Sequence, residues 1–267
     1  YEQPGDKEAE KQAEEKPEVK EETFLFDKSY ECPVCYQGFK AKTVRSGKLR
    51  SLGTDRDLRP LYDQMEPLKY DVVICPHCGY AALTRFFGGL TAGQIKAIKE
   101  NISANFHPVK EEKEIYTYEE ALYRYKLCLA NTIVKHGKVS EKAYICLKAG
   151  WLLRSMGENL DPAVEDYNKK MQEIKEQEKD FLKNALDGLI TARQTESYPI
   201  CGMDEVTLEY LIAVLAMEFE KYDISSRLIY NILNTPTVNN RIKDKAREVK
   251  DLREDKTERE KALDDAI

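Results

Sequence analysis

Hydrophobic and polar positions change rhythm twice along the chain. Residues 1–22 hold almost no large apolar side chains, so they cannot bury enough surface to offset the entropy of ordering and are expected to form a disordered acidic tail. From Phe24 to about Phe87, aromatic and β-branched residues are broken up by Gly and Pro. Val72-Val73-Ile74 predicts a short buried strand there, and Gly38 to Val44 alternates weakly, as a second strand would. After Gly88-Gly89 the apolar positions take up helical spacing and keep it to the end.

Two helix starts are marked by a capping box, Thr91 with Gln94 and Thr117 with Glu120, in which the threonine and the residue three further on satisfy each other's free backbone N–H groups. The first opens a helix with Ile95, Ile98, Ile102 and Phe106 on one face. The second places Tyr118, Leu122, Tyr125, Leu129 and Ile133 on a stripe and stops at Gly137. Ser140 is expected to cap a third helix ending near Gly157, and Asp161-Pro162 to start a long fourth one. Asp204 opens a helix whose apolar residues, from Val206 to Phe219, run round most of its circumference, which makes it central. A short apolar helix over 225–234 and a charged one over 240–262 follow.

Leu129-Ala130-x-x-Ile133-x-x-x-Gly137 and Ala149-Gly150-x-x-Leu153-x-x-x-Gly157 share the small-residue and glycine spacing of a tetratricopeptide repeat, with an echo in Leu215-Ala216-x-x-Phe219. Pro162, Pro199 and Pro236 lie 37 residues apart, although the glycines do not recur at that period. The expected fold is mainly α: a small zinc-ribbon-like β head over residues 23–90, then a tetratricopeptide-like stack of antiparallel helices over 91–267. An irregular helical bundle is the simpler alternative.

With 42% hydrophobic and 34% charged residues among 267, the chain is neither fibrous nor low in complexity, and no stretch nears the ~20 apolar residues of a membrane helix. The net charge of −6 sits mostly in the tail, where nine acidic residues outnumber four basic ones, so the remaining chain is nearly neutral. Binding of nucleic acid by bulk charge is thereby disfavoured. One interval departs from this balance: Lys40, Lys42, Arg45, Lys48, Arg50, Arg56 and Arg59 face only Asp55 and Asp57. It could grip phosphates, but no aromatic residues are interleaved for stacking, and a solvated loop with local ion pairs is the favoured reading. The chain begins at Tyr1 rather than methionine, and a processed or truncated start is expected.

Seven cysteines make poor disulfide arithmetic. Cys128, Cys146 and Cys201 stand among apolar neighbours, as free thiols do in a reducing compartment, and a cytoplasmic location is expected. The other four form Cys32-Pro33-Val34-Cys35 and Cys75-Pro76-His77-Cys78-Gly79. Two residues between thiols let a tight turn aim both sulfurs at one cation, while proline stiffens the turn and glycine supplies the positive φ that closes it. The 39 residues between Cys35 and Cys75 imply an excursion between the knuckles. Cys32, Cys35, Cys75 and Cys78 are therefore the expected ligands of a closed, tetrahedral, structural zinc ion. Iron in the same cage would make the module an electron carrier. His77, His107 and His136 are read as surface or capping residues.

Cys32-Pro-x-Cys35, then Thr54-Asp55-Arg56-Asp57-Leu58, then Pro67-x-x-Tyr70-Asp71-Val72-Val73-Ile74-Cys75-Pro76-x-Cys78-Gly79-Tyr80-Ala81, then Phe86 and a helical body, resemble a bacterial family known as domain of unknown function 2225. The resemblance runs from about Phe24 to Asn234 and is most specific from Tyr70 to Ala81. It implies a bacterial cytosolic protein with a tetratricopeptide-like C-terminal half, and brings no activity with it.

No phosphate-cradling glycine loop, His-Glu-x-x-His helix or nucleophile elbow is present, so an enzyme is not expected. The favoured function is a non-catalytic zinc-binding scaffold that takes a protein or peptide partner on its helical surface, with no membrane association and oligomeric state left open. The alternative is a nucleic-acid-associated regulator acting through the basic interval.

Overall fold

The computed structural model describes residues 20–108 and 114–264, with the side chains of the last helix described as far as residue 252. Its head is built from three antiparallel hairpins: β1 (Leu25–Glu31) with β2 (Gly38–Val44), β3 (Ser51–Thr54) with β4 (Pro60–Tyr62), and β5 (Val72–Ile74) with β6 (Ala81–Leu83). The strands expected over 38–44 and 72–74 are β2 and β5. Each pairs with a strand that has no alternation of its own, because the Cys-x-x-Cys turn between them sets the register: Glu31 faces Gly38, and Ile74 faces Ala81. Residues 1–19 of the acidic tail lie outside the described residues. At the tail's end, the Glu21 carboxylate accepts hydrogen bonds from Lys69 Nζ at 2.8 Å and Tyr70 Oη at 2.7 Å, tying the chain's entry to the head.

Seven α-helices follow among the described residues, and helices make up about 58% of the structure. They are α1 (Ala92–Asn101), α2 (Tyr118–Val134), α3 (Val139–Glu158), α4 (Tyr167–Thr195), α5 (Glu205–Glu218), α6 (Tyr222–Asn234) and α7 (Asn240–Asp264). From α2 onward each helix packs on the next. Both threonine capping boxes are formed, and Asp204 accepts from Thr207 N to open α5. The whole run from Leu208 to Met217 is buried, which makes α5 the central helix expected from its all-round apolar surface. The longest interface joins α3 to α4. A Cβ on Gly150 would come within 2.6 Å of Leu182 Cδ2, and one on Gly188 within 2.7 Å of Ala143 Cβ, so these glycines let the helices approach closely.

Four helix details differ from the sequence expectation, the first being that α1 ends at Asn101 and a tight turn over Ser103–Asn105 leaves Phe106, expected on its face, outside the helix. Ser140 lies inside α3 rather than ahead of it, and its N–H and hydroxyl both donate to Glu196, a carboxylate from the far end of α4 that caps α3 from outside. Asp161 is used for a local turn, accepting from Ala163 N, and α4 begins only at Tyr167. The stripe on α2 is also turned. Cys128, Asn131 and Thr132 are buried with Leu122 and Tyr125, while Ile133 is 54% exposed, because α2 is covered by the head on one side and α3 on the other.

Residues from both sides of the residue-90 boundary share one core, in which Leu68, Val72, Ala81 and Leu83 of the head join Leu122, Tyr125, Leu147 and Leu152 of the helices. Large side chains buried this way stabilise by about 1.5–3 kcal/mol each. A polar clamp seats the loop between β3 and β4 on α3. Arg59, only 3% exposed, donates to Glu158 in a two-pronged pair at 2.9 and 2.7 Å, to Asp55 at 2.5 Å and to Ser155 at 2.9 Å. Equally buried, Asp57 accepts from Trp151 Nε1 at 2.9 Å and pairs with Arg154 at 2.9 Å. Removing one partner of such a cluster strands the others. Arg59→Ala is therefore expected to destabilise the fold by about 3 kcal/mol, read as a lowered midpoint in urea denaturation, whereas Lys48→Ala, at an exposed position, should shift it by less than about 0.5 kcal/mol.

Candidate metal centre

The two knuckles are near copies of one another. Cys32 N donates to Gln37 O and Tyr36 N to Cys32 O; Cys75 N donates to Tyr80 O and Gly79 N to Cys75 O. Tyr36 and Gly79 fill the same closing position, with φ of +59° and +73°. The tyrosine accepts the left-handed conformation because its ring is 63% exposed beside Lys99, whereas a side chain on Gly79 would strike the Phe106 ring at 2.5 Å.

Facing each other, these turns bring Cys32, Cys35, Cys75 and Cys78 together, with all four sulfurs within 4.8 Å of one another. The Cys32–Cys78 and Cys35–Cys75 separations are both 3.6 Å. A tetrahedron of thiolates at the Zn–S distance would place its sulfurs about 3.8 Å apart, so the cluster fits a single cation with little rearrangement. It is not arranged for disulfides, which need sulfurs about 2.05 Å apart.

Without a cation, the cage favours a thiolate at Cys32 and protons on Cys75 and Cys78. Hydrogen bonds from Cys75 and Cys78, helped by the backbone N–H groups of Cys35 and Val34, pull the Cys32 thiol down to about 2. Donation to Cys32 and burial push Cys75 up to about 12, and the Cys32 and Cys75 hydrogen bonds together with burial push Cys78 up as well. Protons thus sit on the sulfurs where a cation would otherwise supply the positive charge, and metal uptake would release them. Four sulfurs complete a tetrahedral set and leave no position for water or substrate, the pattern of a structural site.

The residues 25–253 match a family described as an uncharacterised protein conserved in bacteria, DUF2225. The chain belongs to this family. No curated protein and no solved structure is matched by it. The DUF2225 match takes in both knuckles and the helices as far as residue 253, within α7.

The remaining candidates lie elsewhere. His77 is exposed between its two flanking ligands and is not part of the sulfur cluster; His107 and His136 are exposed too. Cys128 and Cys146 are buried in the main core, and burial pushes the thiols of Cys146 and Cys201 up to about 11, which makes them poor nucleophiles. The basic interval is partly spent within the protein: Lys42 pairs with Asp27 at 3.0 Å, Arg45 Nε donates to Leu25 O at 3.3 Å, Arg50 lies 3.8 Å from Asp63, and Arg59 is in the clamp. Lys40, Lys48 and Arg56 remain exposed.

What sequence reading missed is the support around the knuckles. Ile95 and Ile98 of α1, Ile102 just beyond it and Val134 of α2 join the apolar cluster that contains Cys32, Cys75 and Cys78, and buried Asn131 reaches the Gly79 carbonyl. Purified DUF2225 protein is expected to hold one zinc ion per chain by elemental analysis, and Cys128→Ala, Cys146→Ala or Cys201→Ala should leave that ratio unchanged. Gly79→Ala should weaken zinc retention against a chelator, since it adds both left-handed strain and a clash with Phe106.

Proposed function

We propose that the protein is a non-catalytic zinc-binding scaffold, located in the cytoplasm, that receives an amphipathic helix of a partner protein on its helical body. The observation behind this reading is the outer face of α6 and α7. From α2 to α6 each helix is covered by its successor, but this last pair leaves a groove of about 640 Å³ floored by Ile229, Leu233 and Val249, with Tyr230 standing 68% exposed at its side. Such a groove could receive another helix at the end of the stack, and Asp223 and Arg227 among its lining residues offer one charge of each sign to set the direction of an incoming segment. No helix among the described residues is long and apolar enough to cross a membrane.

A photo-crosslinking residue in place of Tyr230 should capture a discrete protein from native bacterial lysate after nuclease treatment. The same residue in place of exposed Asn184 should not. Tyr230→Glu should abolish recovery of that partner while leaving zinc content unchanged. Recovery of nucleic acid instead, lost on reversing Lys48 and Arg50 to Glu, would replace the scaffold reading with the basic-interval one.

A further inference from the structure

Asn131 is a polar side chain, 0% exposed, in the last turn of α2. Both hydrogens of its amide are committed. One goes to Leu127 O in its own helix at 2.9 Å, the other to Gly79 O in the second knuckle at 3.1 Å. The opposite orientation of the amide is excluded by chemistry, since it would set Oδ1 against two carbonyl oxygens. In the orientation present Oδ1 has no hydrogen-bond partner among the described residues, so the two donations alone hold the side chain in place. A buried amide with an unused acceptor costs free energy. Its return here is the donor it gives to a knuckle carbonyl that accepts no backbone N–H among the described residues.

That carbonyl belongs to the residue directly after the ligand Cys78. Gly79 is fixed on its other side by the Phe106 ring and through its own N–H by Cys75 O. One turn further along α2, Val134 packs against the cysteine cluster, and the carbonyl of Lys135 accepts from Gln94 Nε2 of α1 at 3.2 Å. Earlier turns of the same helix, with Leu122, Tyr125 and Cys128, lie in the main core.

We propose that Asn131 is a positioning residue for the metal centre: its amide holds the Cys75–Cys78 knuckle in the geometry that receives the cation and thereby couples metal occupancy to the C-terminal half of α2. Coupling of this kind is reciprocal. What α2 does for metal affinity, bound metal does for the order of α2. The inference does not depend on the scaffold reading.

The test uses the full chain and zinc itself. Zinc affinity is measured by competition with a chromophoric chelator for the wild type, Asn131→Leu, Asn131→Gln and Thr132→Ala, with cobalt(II) substitution reporting four-thiolate coordination. Thr132, equally buried but bonded to Cys128 O in its own helix and to Glu141 of α3, controls for the loss of a buried polar group from α2. Asn131→Leu should lower zinc affinity by about tenfold or more while the cobalt spectrum stays tetrahedral, Asn131→Gln, which keeps a donor, should fall in between, and Thr132→Ala should match the wild type. Hydrogen exchange should show zinc protecting the Leu127–Lys135 amides in the wild type, with that protection lost in Asn131→Leu. Affinities within twofold across all four proteins would overturn the proposal, as would an equal loss in Thr132→Ala. Should Asn131→Leu fail to fold, the comparison of Asn131→Gln with Thr132→Ala decides by the same criteria.

Discussion

Much of this architecture depends on a guanidinium and a carboxylate that the head buries against α3. Arg59 and Asp57 are both 3% exposed, and neither would tolerate that position alone. An ion pair in such a place adds little net stability, because desolvation offsets most of its attraction. Its effect is on register. Any slip of the β3–β4 loop along α3 would separate Arg59 from Glu158 and Ser155, or Asp57 from Trp151 and Arg154, and leave a charge in the interior without a partner. The apolar contacts made by Leu68, Val72 and Leu83 accept many arrangements, whereas the clamp accepts one. It is the clamp that tells the head where to sit, and the position of the knuckles relative to α2 follows.

Local chemistry was readable in the sequence and long-range chemistry was not. The four cysteines declare themselves because the spacing within each knuckle is a property of four or five adjacent residues. The capping boxes at Thr91 and Thr117 succeed for the same reason, each being complete within four residues. Failures begin where a local signal has a competing use. Asp161-Pro162 can start a helix or close a turn, and here the aspartate is spent on Ala163 N. Ser140 resembles a cap, yet the cap of α3 is Glu196, 56 positions away. On α2 the apolar pattern nominated Ile133 and passed over Asn131, because an asparagine is ordinarily a surface residue and its reason for burial is a carbonyl 52 positions earlier in the chain. Likewise, a run of seven basic residues gives no hint that Arg59 will be withdrawn from solvent while Lys40 and Lys48 remain in it.

The head and the helical body are thus joined by two kinds of contact with different demands. Apolar packing gives them one shared core, and a few directional bonds, at Arg59, Asp57 and Asn131, fix how they meet. α2 belongs to both. One of its sides completes the packing round the cysteines and the other completes the core with α3, so a change in either neighbour is felt by the same rigid element.

The near-symmetry of the knuckles ends at their surroundings. Cys75 and Cys78 lie under α1, Phe106 and α2, whereas the first knuckle turns its closing residue outward, and Cys35 is the one thiol of the four that is not fully buried. Traffic in and out of the cage is therefore one-sided. A reagent reaching the cage from solvent would meet Cys35 first and the fully buried Cys32 and Cys75 last.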